Sequence, residues 1–419
     1  MKFVHAADLH LDSPLRGLVR YEGAPVERMR AATRAALANL VGLCLDEGAA
    51  FLLLAGDLFD GDWRDYGTGL FFLAQMARLR EAGIQVFLVR GNHDAQSQIT
   101  RALTLPEHVH EFSTRRPETQ VLEEHGVAIH GQGFAARAVS DDLALRYPAP
   151  RPGLLNIGLL HTSVDGRPGH ESYAPCGLPT LRDKGYDYWA LGHVHAREVL
   201  AQRPWVVFPG NLQGRHARET GAKGATLVTV QDGRITAVEH RALDAVRWLR
   251  CAVDARGAAD ADAMLDQARA ALRALSAQAE GRALAVPVTV RVRAAVHRVL
   301  CAAAERWTND LRALALDALG DTAWLERVEF ATEPEAAPTG RVDDDALVWF
   351  RAAVQAAASD PAALGRLGAQ LQELERKLPA EVREGADGLS LSDPDTLRRL
   401  VADAAALVEG RLAAGGAAP

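Results

Sequence analysis

The sequence predicts an α/β protein. A mixed domain with two sheets is expected over residues 1–244, then a small α+β domain over 245–335 and helices over 341–413. Three observations carry this reading. Apolar strand-like runs alternate with helix-length amphipathic stretches in the first ninety or so residues. Short strand patterns then follow one another to about residue 242. Beyond 245 the composition shifts to Ala, Leu and Arg. At 419 residues the chain exceeds one ordinary core, and 48% hydrophobic with 24% charged residues is the balance of a globular protein.

The elements follow in order. "KFVHAA" (2–7) is a short strand. "VERMRAATRAALANLVGLCLDEG" (26–48) carries apolar residues at helical spacing, with Gly48 placed to cap it. "AFLLLAG" (50–56) is a continuous apolar run, the pattern of a strand buried on both faces. A helix over 66–82 and a strand over 84–89 complete a βαβαβ order, which implies parallel strands joined by right-handed crossovers. Further strands are expected at 119–122, 126–131, 154–160, 187–191, 205–208, 224–230 and 234–240. "QDGR" (231–234) reads as a hairpin turn. The second half offers strands at 248–255, 286–294 and 325–333 around a helix at 259–279. A linker "PEAAPTG" (334–340) leads to helices near 342–358, 361–377 and 394–412. Residues 414–419 form a tail expected to be disordered.

Composition excludes several classes. Acidic residues interrupt every long apolar run, so no membrane span is expected, and the N-terminus lacks the pattern of a signal peptide. A cytoplasmic protein is the expectation. Four cysteines at 44, 176, 251 and 301 form no CxxC pair and read as buried free thiols. A net charge of −7 argues against coating nucleic acid by bulk electrostatics, though not against local binding through cations and a few arginines. Thirteen of the 14 histidines precede residue 250, which locates any imidazole chemistry in the first domain.

Five predicted strands end in polar residues. The first leads into Asp8 and His10, the second into Asp57 and Asp60, and the third into Asn92, His93 and Asp94. The strand "NIGLLH" ends at His161, and "YWALGHVH" ends at His193 and His195. Ligand sites in α/β sheets lie at such carboxyl ends. Asp, Asn and His without thiolates suit Mn²⁺, Fe²⁺ or Zn²⁺. In "DLH" and "HVH" the i, i+2 spacing lets both side chains point the same way from an extended backbone. Two such pairs with an aspartate, an asparagine and a lone histidine exceed the needs of one catalytic ion, and fit two ions about 3.5–4 Å apart sharing a carboxylate.

In this combination, D-x-H, G-D, G-N-H-D, H and G-H-x-H, the chain resembles the calcineurin-like metallophosphoesterase superfamily over residues 1–240. The resemblance implies a two-sheet sandwich flanked by helices (α/β/β/α). It implies one divalent cation held by Asp8, His10, Asp57 and His195, and a second by Asp57, Asn92, His161 and His193, with Asp57 bridging. His93 would stand over the scissile phosphate, oriented by Asp94, while Gly91 permits the tight turn. A bridging hydroxide would attack the phosphate in line, with His93 assisting the leaving group.

"MKFVHAADLHLDSPLRGL" and "FPGNLQGRHARETGAKG" (208–224) resemble the DNA-repair exonuclease branch, YhaO-type proteins first and SbcD-type nuclease subunits more distantly. That implies DNA as substrate, Mn²⁺ as cation, and Arg215, His216 and Arg218 as contacts to flanking phosphates. It also implies a capping domain over 245–335 and helices that dock on an SMC-like coiled-coil ATPase; a homodimer is compatible with the same pattern. The alternatives are a phosphomonoesterase, a cyclic-nucleotide phosphodiesterase, or a regulatory scaffold subunit of such an ATPase. His5 reads as a core histidine. Asp12 and Asp60 read equally as supports of the ligands or as loop caps.

Overall fold

A computed structural model describes residues 1–13, 26–60, 66–95, 97, 103–136, 139–165, 175–332, 345–378 and 389–415. The linker expected at 334–340 and residues 416–419 of the expected tail lie outside them. The chain divides into two compact units. One is Met1–Leu249 with Gly281–Ala285; the other is Arg250–Glu280 with Val286–Pro419.

The first unit holds two six-stranded sheets. Its elements are β1 (Lys2–Ala6), α1 (Val26–Asp46), β2 (Phe51–Ala55), α2 (Tyr66–Glu81), β3 (Gln85–Val89), β4 (Val109–Glu111), β5 (Glu118–Leu122), β6 (Val127–Gly131), β7 (Leu155–His161), α3 (Leu178–Asp183), β8 (Tyr188–Gly192), β9 (Glu198–Gln202), β10 (Trp205–Phe208), β11 (Gly224–Gln231), β12 (Arg234–Ala242) and β13 (Val246–Trp248). The first sheet runs β12-β11-β1-β2-β3-β4 and the second β5-β6-β7-β8-β10-β9. As expected from the βαβαβ order, β1, β2 and β3 are parallel. So are β6, β7 and β8. The predicted hairpin joins β11 to β12 through Gln231↔Arg234, with Asp232 and Gly233 at φ 49° and 71°, both positive as a type I′ turn requires.

Alternation along the strands sets the layers. Phe3, Phe51, Leu53 and Phe87 face Ile129, Ile157, Leu159 and Tyr188 between the two sheets. Val4, Leu52, Leu54, Val86 and Leu88 point the other way, onto Leu37 and Leu40 of α1 and Phe72 and Met76 of α2. The outer face of the second sheet, with Trp189, Leu191, Val206 and Phe208, is covered by Phe134, Leu143, Tyr147 and Leu181 from α3, a 3₁₀ turn and irregular segments. The sandwich thus carries two long helices on one side and mostly loops on the other. Strands β4, β9 and β13 were not expected from the sequence. Two of them have only three residues, too few for a period to show.

In the second unit, β14 (Cys251–Ala255) alternates buried and exposed residues and pairs in parallel with residues 288–292 of β15 (Ala283–Val292). Strand β16 (Ala323–Thr332) pairs with β15 as well. Helix α4 (Ala261–Ala279) begins at Asp260, whose carboxylate accepts from Ala263 N at 2.9 Å. Helices α5 (Ala294–Ala302) and α6 (Ala304–Leu319) fill a stretch for which the sequence suggested no element. Helices α7 (Asp345–Ser359), α8 (Pro361–Lys377) and α9 (Pro394–Gly415) lie close to the expected spans. Among the described residues no helix is long and apolar enough to cross a membrane.

Candidate metal centre

The site lies in the first unit, just past the carboxyl ends of β1, β2, β3, β7 and β8. The loops after β1 and β2 keep their parallel pairing beyond the strands: Asp8 N donates to Gly56 O, His10 N to Asp57 O, and Leu11 N to Leu58 O. The backbone at Asp8, His10, Asp57 and His193 is left-handed, with φ of 52°, 41°, 54° and 105°. Non-glycine residues rarely adopt that region, and clusters of them mark functional sites. Gly91 serves differently from expectation. It is not among the residues with positive φ, and its requirement is space, because a Cβ there would overlap the Asp57 carboxylate.

Hydrogen bonds fix which nitrogen of each imidazole carries the proton. His10 donates through Nδ1 to Asp60 Oδ1 at 2.6 Å, and His195 through Nδ1 to Glu219 Oε1 at 2.7 Å. Their unprotonated Nε2 atoms then face each other at 3.2 Å. His161 donates through Nδ1 to Ala55 O at 2.9 Å. Its Nε2 points at Asn92 Oδ1, 2.9 Å away, and lies 3.4 Å from Asp57 Oδ2. Each group therefore brings lone pairs together with no proton between them. A cation resolves both conflicts, and the donor set fits a divalent ion of intermediate hardness at each point.

The carboxylates add to the demand. Asp8 and Asp57 are 1% and 2% exposed. Burial first, and then the Asp57 charge, push the Asp8 carboxyl well above its usual range. Asp57 is buried as well, and its Oδ1 accepts from His93 N at 2.9 Å. Among the described residues, Asp8, His10 and His195 offer ligand atoms within 4.8 Å of one another, and so do Asp8, Asp57 and His161. Asp8 is common to both trios. His193 sits beside them: its backbone N–H donates to both Asp8 oxygens at 3.1 and 3.0 Å, and its ring lies 5.2 Å from that of His161. All seven residues expected as ligands are thus brought to one place.

His93 is half exposed at the edge of this cluster, its side chain 41% accessible and its ring 4.9 Å edge-on from His10. The expectation that Asp94 orients it is corrected. Asp94 is buried, and its oxygens accept from Leu58 N at 2.9 Å, Phe59 N at 3.1 Å and Gly91 N at 3.1 Å. It fastens the loops after β2 and β3 together. Asp60 takes the orienting place, with Oδ1 3.2 Å from His93 Nδ1. Burial opposes protonation of His93, but the Asp60 hydrogen bond and the Asp57 and Asp60 charges outweigh it and raise its pKa.

The residues expected to touch substrate lie on the segment after β10. Arg215 pairs with Glu219 at 3.2 Å and stands 3.9 Å from Asp60. His216 lies 3.5 Å from Glu219, and Arg218 N donates to His216 Nδ1 at 3.3 Å. Sequence reasoning did not foresee that Glu219 holds His195; its place four residues after Arg215, in a short polar run, was the available signal. Asp12 supports the frame, accepting from Arg34 Nε at 2.9 Å and Thr68 Oγ1 at 2.6 Å. His5 is a core histidine as expected, donating from Nε2 to Leu191 O at 3.1 Å and accepting from Tyr188 OH at 3.0 Å.

Comparison with known proteins agrees with this geometry. Residues 1–197 match the calcineurin-like phosphoesterase family. The chain carries a calcineurin-like metallophosphoesterase domain. Residues 248–333, following that domain, match the middle domain of the metallophosphoesterase YhaO. The chain is 41% identical over 258 residues to the uncharacterized metallophosphoesterase YhaO of Bacillus subtilis, covering 61% of this chain and 63% of that one. It is 26% identical over 231 residues to the DNA double-strand break repair protein Mre11 of Methanopyrus kandleri, covering 50% and 48%. With the Mre11 of Sulfurisphaera tokodaii it shares 24% over 208 residues, covering 45% and 51%. The chain thus spans between about half and just under two thirds of the length of these relatives.

Proposed function

We propose that this protein hydrolyses phosphodiester bonds in DNA with two divalent cations, as an exonuclease of DNA repair. The observation that carries the reading is the convergence of unprotonated donors, Nε2 of His10 on Nε2 of His195 and Nε2 of His161 on Asn92 and Asp57, around two buried carboxylates. Two divalent ions held by Asp8, His10, Asp57, Asn92, His161, His193 and His195 would supply Lewis acidity toward a phosphoryl oxygen and lower the pKa of water. We assign Mn²⁺, with Fe²⁺ and Zn²⁺ as the other ions suited to these donors.

The chain's own groups do the rest. His93 Nδ1 is held by Asp60, so Nε2 is the nitrogen left to give a proton to the leaving oxygen. The Asp60 hydrogen bond and the Asp57 and Asp60 charges raise its pKa and so favour the protonated ring. Arg215, held charged by Glu219 and Asp60 against the cost of burial, offers a fork to a flanking phosphate oxygen. DNA is preferred over a small phosphoester because the archaeal relatives are repair proteins by name, and because Arg215, His216 and Arg218 put basic groups beside the centre of an acidic chain. An SMC-like ATPase as partner and a cytoplasmic location belong to the same proposal.

A substrate panel after metal reconstitution tests it. Protein reconstituted with Mn²⁺ is expected to degrade linear duplex DNA faster than it cleaves p-nitrophenyl phosphate or cyclic AMP. The reverse order favours the phosphomonoesterase or cyclic-nucleotide reading and removes the nuclease assignment.

A further inference from the structure

The two trios are oriented by different means. His161 is held by a backbone carbonyl of β2. His195 is gripped by one short segment, residues 211–223, between β10 and β11. Glu219 accepts from its ring at 2.7 Å. Its carbonyl accepts from Lys223 Nζ at 2.7 Å and from Asn211 N at 3.3 Å. Lys223 is only 7% exposed, an uncommon place for an ammonium group, and one that needs an oxygen partner. Glu219 is itself fixed, accepting from Asn211 Nδ2 at 2.8 Å and Arg215 N at 2.8 Å.

The same segment is anchored at its other side. Gln213 Nε2 donates to Val246 O at 2.6 Å, and its Oε1 accepts from Ala245 N at 2.8 Å. Lys223 O accepts from Leu243 N at 2.8 Å and Asp244 N at 3.2 Å. Asp244 is closed in by Arg247 at 2.9 Å and Arg282 at 3.1 Å. One face of the segment therefore grips His195, and the other is tied to 243–247.

We propose that Lys223 and Glu219 are positioning residues for His195, and that segment 211–223 sets the cation affinity of the Asp8–His10–His195 trio without setting that of the Asp8–Asp57–His161 trio. This rests on the metal reading of the site given above. A metal-bound imidazole depends on the group that holds its other nitrogen, and loss of such a partner weakens binding about 10- to 100-fold. Lys223 acts on the same ligand through its backbone, so that the ring cannot swing as the loop breathes. Among the described residues the support of the His161 ring comes instead from the Ala55 carbonyl of β2.

Calorimetric titration of the metal-stripped full chain with Mn²⁺ tests this without any turnover measurement. Wild type is expected to take up two ions. In Lys223→Met, which keeps the aliphatic stem, and in Glu219→Gln, which keeps an oxygen for His195, one ion is expected to bind about tenfold or more weakly while the other binds as in wild type. Glu219→Gln also serves if Lys223→Met fails to fold. Equal weakening of both ions, or of neither, overturns the proposal while leaving the metal reading intact. A wild-type protein that takes up no Mn²⁺ overturns the metal reading and the positioning proposal with it.

Discussion

Asp60 Oδ1 lies 3.2 Å from His93 Nδ1 and 2.6 Å from His10 Nδ1, so one carboxylate oxygen serves both a candidate cation ligand and the imidazole at the site's edge. Ser13 Oγ donates to the other oxygen, and Arg215 stands 3.9 Å from it. His93 and His10 are therefore not independent. Asp60→Asn is expected to lower kcat by about 10- to 100-fold and to shift the acidic limb of its pH profile, because an amide no longer favours the imidazolium. His93→Asn is expected to lose about 10²–10⁴ in kcat while still binding two ions. A His93→Asn protein with wild-type nuclease rates would rule out its role.

Asp94 should behave as a structural residue. Its carboxylate accepts three backbone N–H groups in a buried loop crossing. Asp94→Ala leaves those donors unpaired and is expected to cost about 3 kcal/mol or more in urea unfolding. Turnover per folded, metal-loaded molecule should fall less than in Asp60→Asn. A larger fall would return the orienting role to Asp94.

Cations should stabilise the fold as well as drive chemistry. Mn²⁺ at a hundredfold its Kd is expected to add about 2.7 kcal/mol per site to unfolding. If Asp57 bridges the two ions as the family resemblance implies, Asp57→Asn should lower the occupancy of both sites, and full retention of two ions by elemental analysis would leave Asp8, common to both trios, as the bridge. Gly91→Ala should weaken binding through the same carboxylate, since the added Cβ overlaps it, with the far-ultraviolet circular dichroism spectrum unchanged.

His5 predicts an acid sensitivity separate from the metal ligands. Burial lowers its pKa from 6.5 to about 3, against the opposing Leu191 carbonyl. The native state therefore binds fewer protons than the unfolded chain between those values. This contribution is complete above about pH 6.5 and is lost as pH falls toward 3; at pH 5 the loss is about 2 kcal/mol. Urea unfolding at pH 7 and pH 5 should show wild type losing about that much more than His5→Gln.

What was legible in the sequence divides along physical lines. Strands β2 and β7 are buried on both faces, so they read as continuous apolar runs, and the polar residues after them stood out. That contrast picked out the polar residues at the strand ends, and the family resemblance then named seven of them as expected ligands. The exchange of roles between Asp60 and Asp94 was not legible, because it depends on which backbone N–H groups reach Asp94 across two loops. Glu219 was hidden for a like reason, its partner lying 24 residues away in the chain. Helices α5 and α6 were legible and were passed over: Val296 and Leu300, then Trp307, Leu311 and Leu314, recur at helical spacing and are among the residues these helices bury.

The left-handed backbone at Asp8, His10, Asp57 and His193 has a consequence for engineering. Each such residue costs about 1–3 kcal/mol relative to a relaxed conformation. Glycine at Asp8 or Asp57 would release that strain together with a buried charge, so metal-free variants of this kind should resist heat better than the metal-free parent. A screen for thermal tolerance in the presence of a chelator would therefore collect proteins whose catalytic machinery has been dismantled, and heat resistance here is best selected with the cations present.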